Sequence, residues 1–267
     1  MKKYFITFKN SIQTNLAYRF NTLASFFSES ITLVILLYLW ASIYRQGGQI
    51  GTYSLAGLLT YFILSRFVAL ITLYDDTAKK MNEEIAEGGA INYFLKPINY
   101  LHNEFAYKLG TVSYRLALYS LISALILIFA QLISLGRLYS GLPAVFYFLA
   151  LLFIGITVNF LIFFIVGLLS FFLDYINGLN FMMFNLISLF SGNIIPLDLF
   201  PPYLASVSGF LPFKYLVFVP ISVATGKIPL EEAPILLFSG ILWVLGLYLG
   251  ARAMLFFSFK KYEAYGG

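Results

Sequence analysis

The sequence predicts an all-α integral membrane protein with six transmembrane helices, and three observations predict it. Of its 267 residues, 60% are hydrophobic and 11% charged, against the roughly 25% charged share of a soluble domain. Mean hydropathy is +0.85. The apolar residues fall in long continuous runs, near the ~20 residues that a helix needs to cross a bilayer, rather than in the alternating runs of a barrel. Polar and basic residues collect between those runs, where a chain returns to water.

Composition also excludes several function classes. The chain has no cysteine, so disulfides and thiolate metal sites are ruled out. His102 is the only histidine, which leaves no histidine-cluster metal site. The net charge of +5 comes mostly from basic residues beside the apolar runs, and reads as membrane topology rather than nucleic-acid binding. The opening MKKYFITFKNS has no uninterrupted apolar core and no small-residue cleavage site, so no cleaved signal peptide is expected.

Residues 1–25 form the first element. Phe5, Phe8, Ile12, Leu16, Phe20 and Leu23 recur every three or four positions, with Lys9, Gln13, Asn15 and Arg19 elsewhere around the wheel. This predicts an amphipathic helix in the interface plane; the alternative is an ordinary helix packed on its neighbours. Spans are expected at 26–44, 53–74, 111–135, 144–173, 181–195 and 234–257. The fourth is long, so it is tilted, kinked or extended past the bilayer, and the fifth breaks at Ser191-Gly192. Six spans place both termini on one side. Lys2, Lys3, Lys9, Arg19, Lys79, Lys80, Lys96, Lys108, Arg115, Arg252, Lys260 and Lys261 fall on that side, against Arg45, Arg137, Lys214 and Lys227 on the other. Basic residues mark the cytoplasmic side. Both termini and residues 75–110 are therefore expected in the cytoplasm, with the chain in the cell's inner (plasma) membrane.

Residues 75–110 are a polar island, holding six of the twelve carboxylates: Asp75, Asp76, Glu83, Glu84, Glu87 and Glu104. Asp76 is expected to cap a helix from Thr77. Lys79/Glu83 and Lys80/Glu84 stand four apart and can pair along it, and Gly88-Gly89 ends it. A charged helix between spans is placed to take force from a soluble partner; the alternative is a solvated hairpin.

Residues 196–233 follow the broken fifth run. Ser191 to Pro212 holds four prolines and two glycines, which no regular span tolerates. Tyr203 to Leu211 is too short to cross, so it is expected to dip in and return. Irregular backbone at membrane depth survives only when buried in protein or lining a wet cavity. Within the spans, Arg66 carries a charge that costs at least ~2.5–3.5 kcal/mol if unpaired. Glu29 on the first span lies about two turns away in depth, so an ion pair is feasible. Arg115 is a competing partner for Glu29. The pair is read either as structural or as a substrate contact.

Two stretches carry a resemblance. Glu84-Ile-Ala-Glu87-Gly88-Gly89-Ala-Ile-Asn-Tyr-Phe-Leu95-Lys96-Pro97-Ile98 resembles the cytoplasmic segment of the ATP-binding-cassette (ABC) type-2 export permeases. Gly192, Pro196, Phe200-Pro201 and Leu211-Pro212 resemble the re-entrant extracellular element of the same family. The layout of interface helix, two spans, coupling helix and four further hydrophobic elements extends the likeness over essentially the whole chain. The resemblance implies the membrane subunit of an ATP-driven exporter. Its island would be a coupling helix that meets a separate ABC ATPase through Lys80, Glu83, Glu84, Glu87 and Gly88. It implies a second permease, as a homodimer or a heterodimer with a sibling, with the path between the two opened by spans one, two and five. It also implies an outer gate at Gly192, Pro196, Pro201 and Pro212. The chain has no G-x-x-x-x-G-K-[ST] loop, no G-x-S-x-G elbow and no paired catalytic carboxylates. It is therefore expected to be non-catalytic, with no cofactor or metal of its own and ATP held by the partner. The competing readings are a membrane scaffold or lipid-processing protein with no ATPase, and a secondary transporter, which would show inverted repeats and several buried ionisable groups.

Overall fold

The most hydrophobic run of the chain forms the centre of the molecule, with the other helices arranged around it. The computed structural model describes residues 2–45, 51, 53–87, 98–132, 141–173 and 175–265, without the side chains of 120–132 and 261–265. Ten α-helices appear among the described residues: α1 Lys2–Ala17, α2 Arg19–Arg45, α3 Leu55–Thr72, α4 Thr77–Ala86, α5 Tyr100–Leu132, α6 Leu142–Leu168, α7 Asn177–Phe190, α8 Pro202–Phe210, α9 Phe218–Ala224 and α10 Ala233–Tyr265. Short 3₁₀ turns at Leu169–Phe171, Leu197–Leu199, Pro212–Tyr215 and Leu230–Glu232 join or extend them.

Helix α6 is the core. Leu151, Val158, Phe160, Phe164 and Leu168 along it have no exposed surface, and it packs against α3, α4, α9 and α10. Pro143 starts it within the first turn, where a missing N–H costs nothing. Gly155 lets it touch the Tyr215 carbonyl, which a Cβ would approach to 2.5 Å. A second apolar cluster of Met81, Tyr100, Leu101, Phe164, Leu168 and Leu255 ties α4, α5, α6 and α10 together at one end. The exterior is apolar too: Phe27, Ile31, Val34 and Tyr38 of α2 and Ile235, Phe238, Leu245 and Leu249 of α10 are exposed. That is the arrangement of a protein whose solvent is hydrocarbon.

Four helical stretches among the described residues are long and apolar enough to cross a membrane: Arg19–Arg45, Leu55–Ala86, Leu142–Phe171 and Leu230–Lys260. Helix α5, at 33 residues, has the length for a fifth. Helix α7 does not: its 14 residues rise only ~21 Å, short of a ~30 Å hydrocarbon core.

Several boundaries differ from the sequence reading. Helix α1 ends at Ala17 and α2 starts at Arg19, so the first long helix begins inside the expected 1–25 interface element. The break is a one-residue tightening at Tyr18, whose carbonyl accepts the Asn21 N–H at 3.0 Å; no glycine or proline announces it. Helix α5 begins at Tyr100, so residues 100–110 of the island are the start of the next long helix. Helix α1 presents its polar side to α5. Ser11 donates to the Tyr107 carbonyl at 2.7 Å, Thr7 to Asn103 Oδ1 at 2.8 Å and Asn15 to Thr111 Oγ1 at 3.1 Å. Gly110 allows the approach, since a Cβ there would lie 2.5 Å from the Phe8 carbonyl oxygen. Phe5, Ile6 and Leu16 are left facing outward. The helix is amphipathic with its apolar face away from the protein, as a lipid interface demands.

Candidate functional site

Among the described residues helix α4 has one buried face and one exposed face. Thr77, Ala78 and Met81 form its buried face. Ala78 and Met81 seat on Gly167 of α6, where a Cβ would come to 2.7 Å from Met81 Sδ and 3.1 Å from the Ala78 Cα. The helix start is fixed by Asp75, whose Oδ1 accepts the Thr77 N–H at 2.8 Å. Asp76, the expected cap, makes no side-chain cap bond. Residue 75 wins because its second carboxylate oxygen is 2.8 Å from Lys108 Nζ, which holds the side chain over the helix end. The Lys108 ammonium also donates to the Tyr74 carbonyl.

Along α4 the expected pairs are present at 3.8 Å, Lys79–Glu83 and Lys80–Glu84. The two differ in surroundings. Lys80 turns toward α5, 2.9 Å from the buried Glu104 carboxylate and 4.1 Å from the centre of the Tyr107 ring. Burial pushes the Glu104 carboxyl above the ordinary carboxylate range, with Lys80 opposing it. Lys79 and Glu83 point away from the protein, their side chains 66% and 60% exposed, and Glu87 is exposed as well. Lys79, Glu83 and Glu87 recur every four residues and make one outward stripe. Of the residues expected to meet a partner, Glu83 and Glu87 lie on that stripe, Glu84 on its flank and Lys80 behind it. Gly88 lies outside the described residues.

The charges expected within the spans form a second node. Arg66 Nη1 is 3.1 Å from Glu29 Oε2, and its other terminal nitrogen donates to the Asn193 carbonyl. That carbonyl lies just past the end of α7, where orphan carbonyl groups need partners. Three consecutive ones find them: Ser191 O accepts the Phe218 N–H at 2.9 Å, Gly192 O accepts from Tyr61 Oη at 2.7 Å, and Asn193 O takes Arg66. A guanidinium at a helix C-terminus is also favoured by the macrodipole. Arg66 thus joins α2, α3 and the end of α7. Arg115, the competing partner for Glu29, instead donates to the Leu70 carbonyl at 3.1 Å and stacks on Tyr74.

The outer residues are spread along the irregular segment rather than gathered. Gly192 has φ +84°, a left-handed conformation open to glycine. Pro196 precedes the Leu197–Leu199 turn, Pro201 precedes α8, and Pro212 opens the next 3₁₀ turn and is buried. Asp198 is held by Tyr53, at 3.1 Å, and by Lys227. From Phe213 to Val223 the chain is among the most deeply buried parts of the protein, with Tyr215, Leu216, Val217 and Ile221 having no exposed surface. The sequence reading missed the Asp75–Lys108 pair and the Tyr61 clasp, because nothing in spacing links partners so far apart in the chain. The Gly167 seat carried a faint signal, a lone glycine in an apolar helix.

Among the described residues no group of three or more His, Cys, Asp or Glu side chains could hold a metal ion. Residues 30–266 match the family described as ABC-2 family transporter protein; the match leaves out α1. No curated protein matches the chain.

Proposed function

The chain belongs to the ABC-2 family of transporter proteins, and from that premise we propose that it is the permease subunit of an ATP-driven exporter whose ATPase docks on α4. Family membership makes it a multi-pass membrane component of a transporter. The observation that carries the finer reading is the division of α4. Its inner side and start are locked to α5 and α6 by Asp75–Lys108, Lys80–Glu104 and Met81–Gly167. Among the described residues, the side chains of its outer stripe, Lys79, Glu83 and Glu87, make no ion pair beyond Lys79–Glu83.

In this reading α4 is the coupling helix, and both termini are cytoplasmic in the inner membrane. The helices α2, α3, α5, α6, the α7–α8 region and α10 make six membrane elements, with α1 in the interface. ATP binding closes two ATPases and pushes α4. The push passes to α6 through Gly167 and to α5 through the two ion pairs. Arg66 links α2, α3 and the end of α7, the elements that would rearrange to open a path between two permeases. The segment from Gly192 to Pro212 then gates the outer end. Lys80 acts as a tie between α4 and α5 rather than as a contact.

Affinity purification of the tagged chain in mild detergent tests the reading. A stoichiometric protein carrying a phosphate-binding loop is the expected companion. A chain that comes out alone, under conditions that keep other membrane complexes intact, would return the reading to a scaffold with no ATPase.

A further inference from the structure

Two clefts lie side by side among α1, α2, α3, α5 and the end of α7. The first, about 280 Å³, is lined among the described residues by side chains with polar groups, including Thr14, Asn21, Ser25 and Tyr107, with one charge of each sign, Arg115 and Asp76. The second, about 380 Å³, has an apolar wall of Ala24, Ala69, Leu70, Leu73 and Phe184 opposite a polar one that includes Ser28, Glu29 and Asn193. Ser25, Tyr74 and Arg115 line both, so the two clefts adjoin along a shared wall.

Arg115 is the unusual member. It is only 3% exposed; one terminal nitrogen is used by Leu70 O at 3.1 Å, and its Nε has no partner. Among the described residues no carboxylate lies within ion-pair distance of it. A guanidinium that lines both clefts and has no carboxylate partner among the described residues suits an oxyanion such as phosphate. Asp76 in the same lining supplies a carboxylate for a cation. Glu29, in the second cleft, is engaged by Arg66. The 18 residues of α3 rise ~27 Å, close to the hydrocarbon thickness, so Tyr74 and Asp76 just past its end fall at headgroup level.

We propose that the joined clefts bind a phospholipid whose headgroup carries a phosphate and a primary ammonium. Arg115 takes the phosphate, Asp76 the ammonium, and the apolar wall of the second cleft an acyl chain. The placement rests on the topology proposed above, but the binding requires no ATPase.

The test is lipid retention, followed by native mass spectrometry of the purified full chain titrated with phosphatidylethanolamine, phosphatidylglycerol or phosphatidylcholine. The expected result is that phosphatidylethanolamine is retained about tenfold more tightly than the other two, the worth of one charge-assisted hydrogen bond. D76N should abolish that preference. S25L, which fills the shared wall, should abolish retention with an unchanged melting temperature. Soluble phosphoethanolamine separates the sources: if it displaces the lipid only at far higher concentration, the tail compartment is confirmed. If it competes on equal terms, the site reads a free zwitterion and the lipid proposal is overturned. Equal retention of the three lipids by the wild-type chain overturns it regardless of how the variants fold.

Discussion

Asp75 and Lys108 form an ion pair at 2.8 Å with side chains 0% and 3% exposed, and this pair welds the α3–α4 corner to α5. Removing one member of a closed pair leaves a buried charge without compensation, which typically costs about 3–5 kcal/mol. Lys108→Met and Asp75→Leu should each lower the melting temperature in detergent strongly. The double variant should be more stable than either single one, because an apolar pair needs no compensation. Additive losses would show that the two residues stabilise the corner independently.

Gly167 is the seat of α4. A leucine there would drive its Cβ toward Met81 Sδ at 2.7 Å and the Ala78 Cα at 3.1 Å. Overpacking of this kind costs roughly 1–3 kcal/mol, and here the element that yields is α4. Gly167→Leu should therefore keep the fold, read by melting temperature, while losing most transport that depends on the partner. Adding Met81→Ala should recover part of it. Transport at the wild-type level in Gly167→Leu would remove α6 from the force path.

Arg66 serves two acceptors at once, Glu29 and the Asn193 carbonyl. A guanidinium forks between them and an ammonium does not, so Arg66→Lys should fail to restore stability or transport. Glu29 is 37% exposed at the side chain against 8% for Arg66, and Arg66 keeps the Asn193 carbonyl when Glu29 loses its charge. Glu29→Gln should accordingly be mild and Arg66→Lys severe, an asymmetry that thermal melts of the two variants read directly. Equal effects would mean that the ion pair, not the clasp on Asn193, is what Arg66 provides.

Much of this architecture was legible in the sequence because hydrocarbon imposes long apolar runs. The centres of α2, α3, α6 and α10 follow from run length alone, and the α4 helix from its charge spacing and the residues that bound it. Local caps were less legible. Asp76 looked like the N-cap by position, yet Asp75 takes the role because Lys108, 33 residues on, holds its carboxylate in place. Glu29 and Arg66 were paired by matching depth, whereas Asn193 was not visible as a partner because a backbone carbonyl has no sequence signature. Spacing paired Lys80 with Glu84 and the resemblance put it among the partner contacts; the buried Glu104 on the next helix also draws its ammonium inward. In each case the local pattern named the residues, and a partner from a distant segment chose among them.

The most direct test of the central claim is the ratio of ATPase to permease in complexes purified from wild type and from the double charge reversal Glu83→Lys/Glu87→Lys. Both residues are exposed, so the reversal leaves the fold alone. The account predicts a one-to-one ratio in wild type, and loss of the ATPase in the variant at an unchanged melting temperature. A variant that keeps its ATPase at the wild-type ratio would contradict it, and would place the docking surface elsewhere than on the outer stripe of α4.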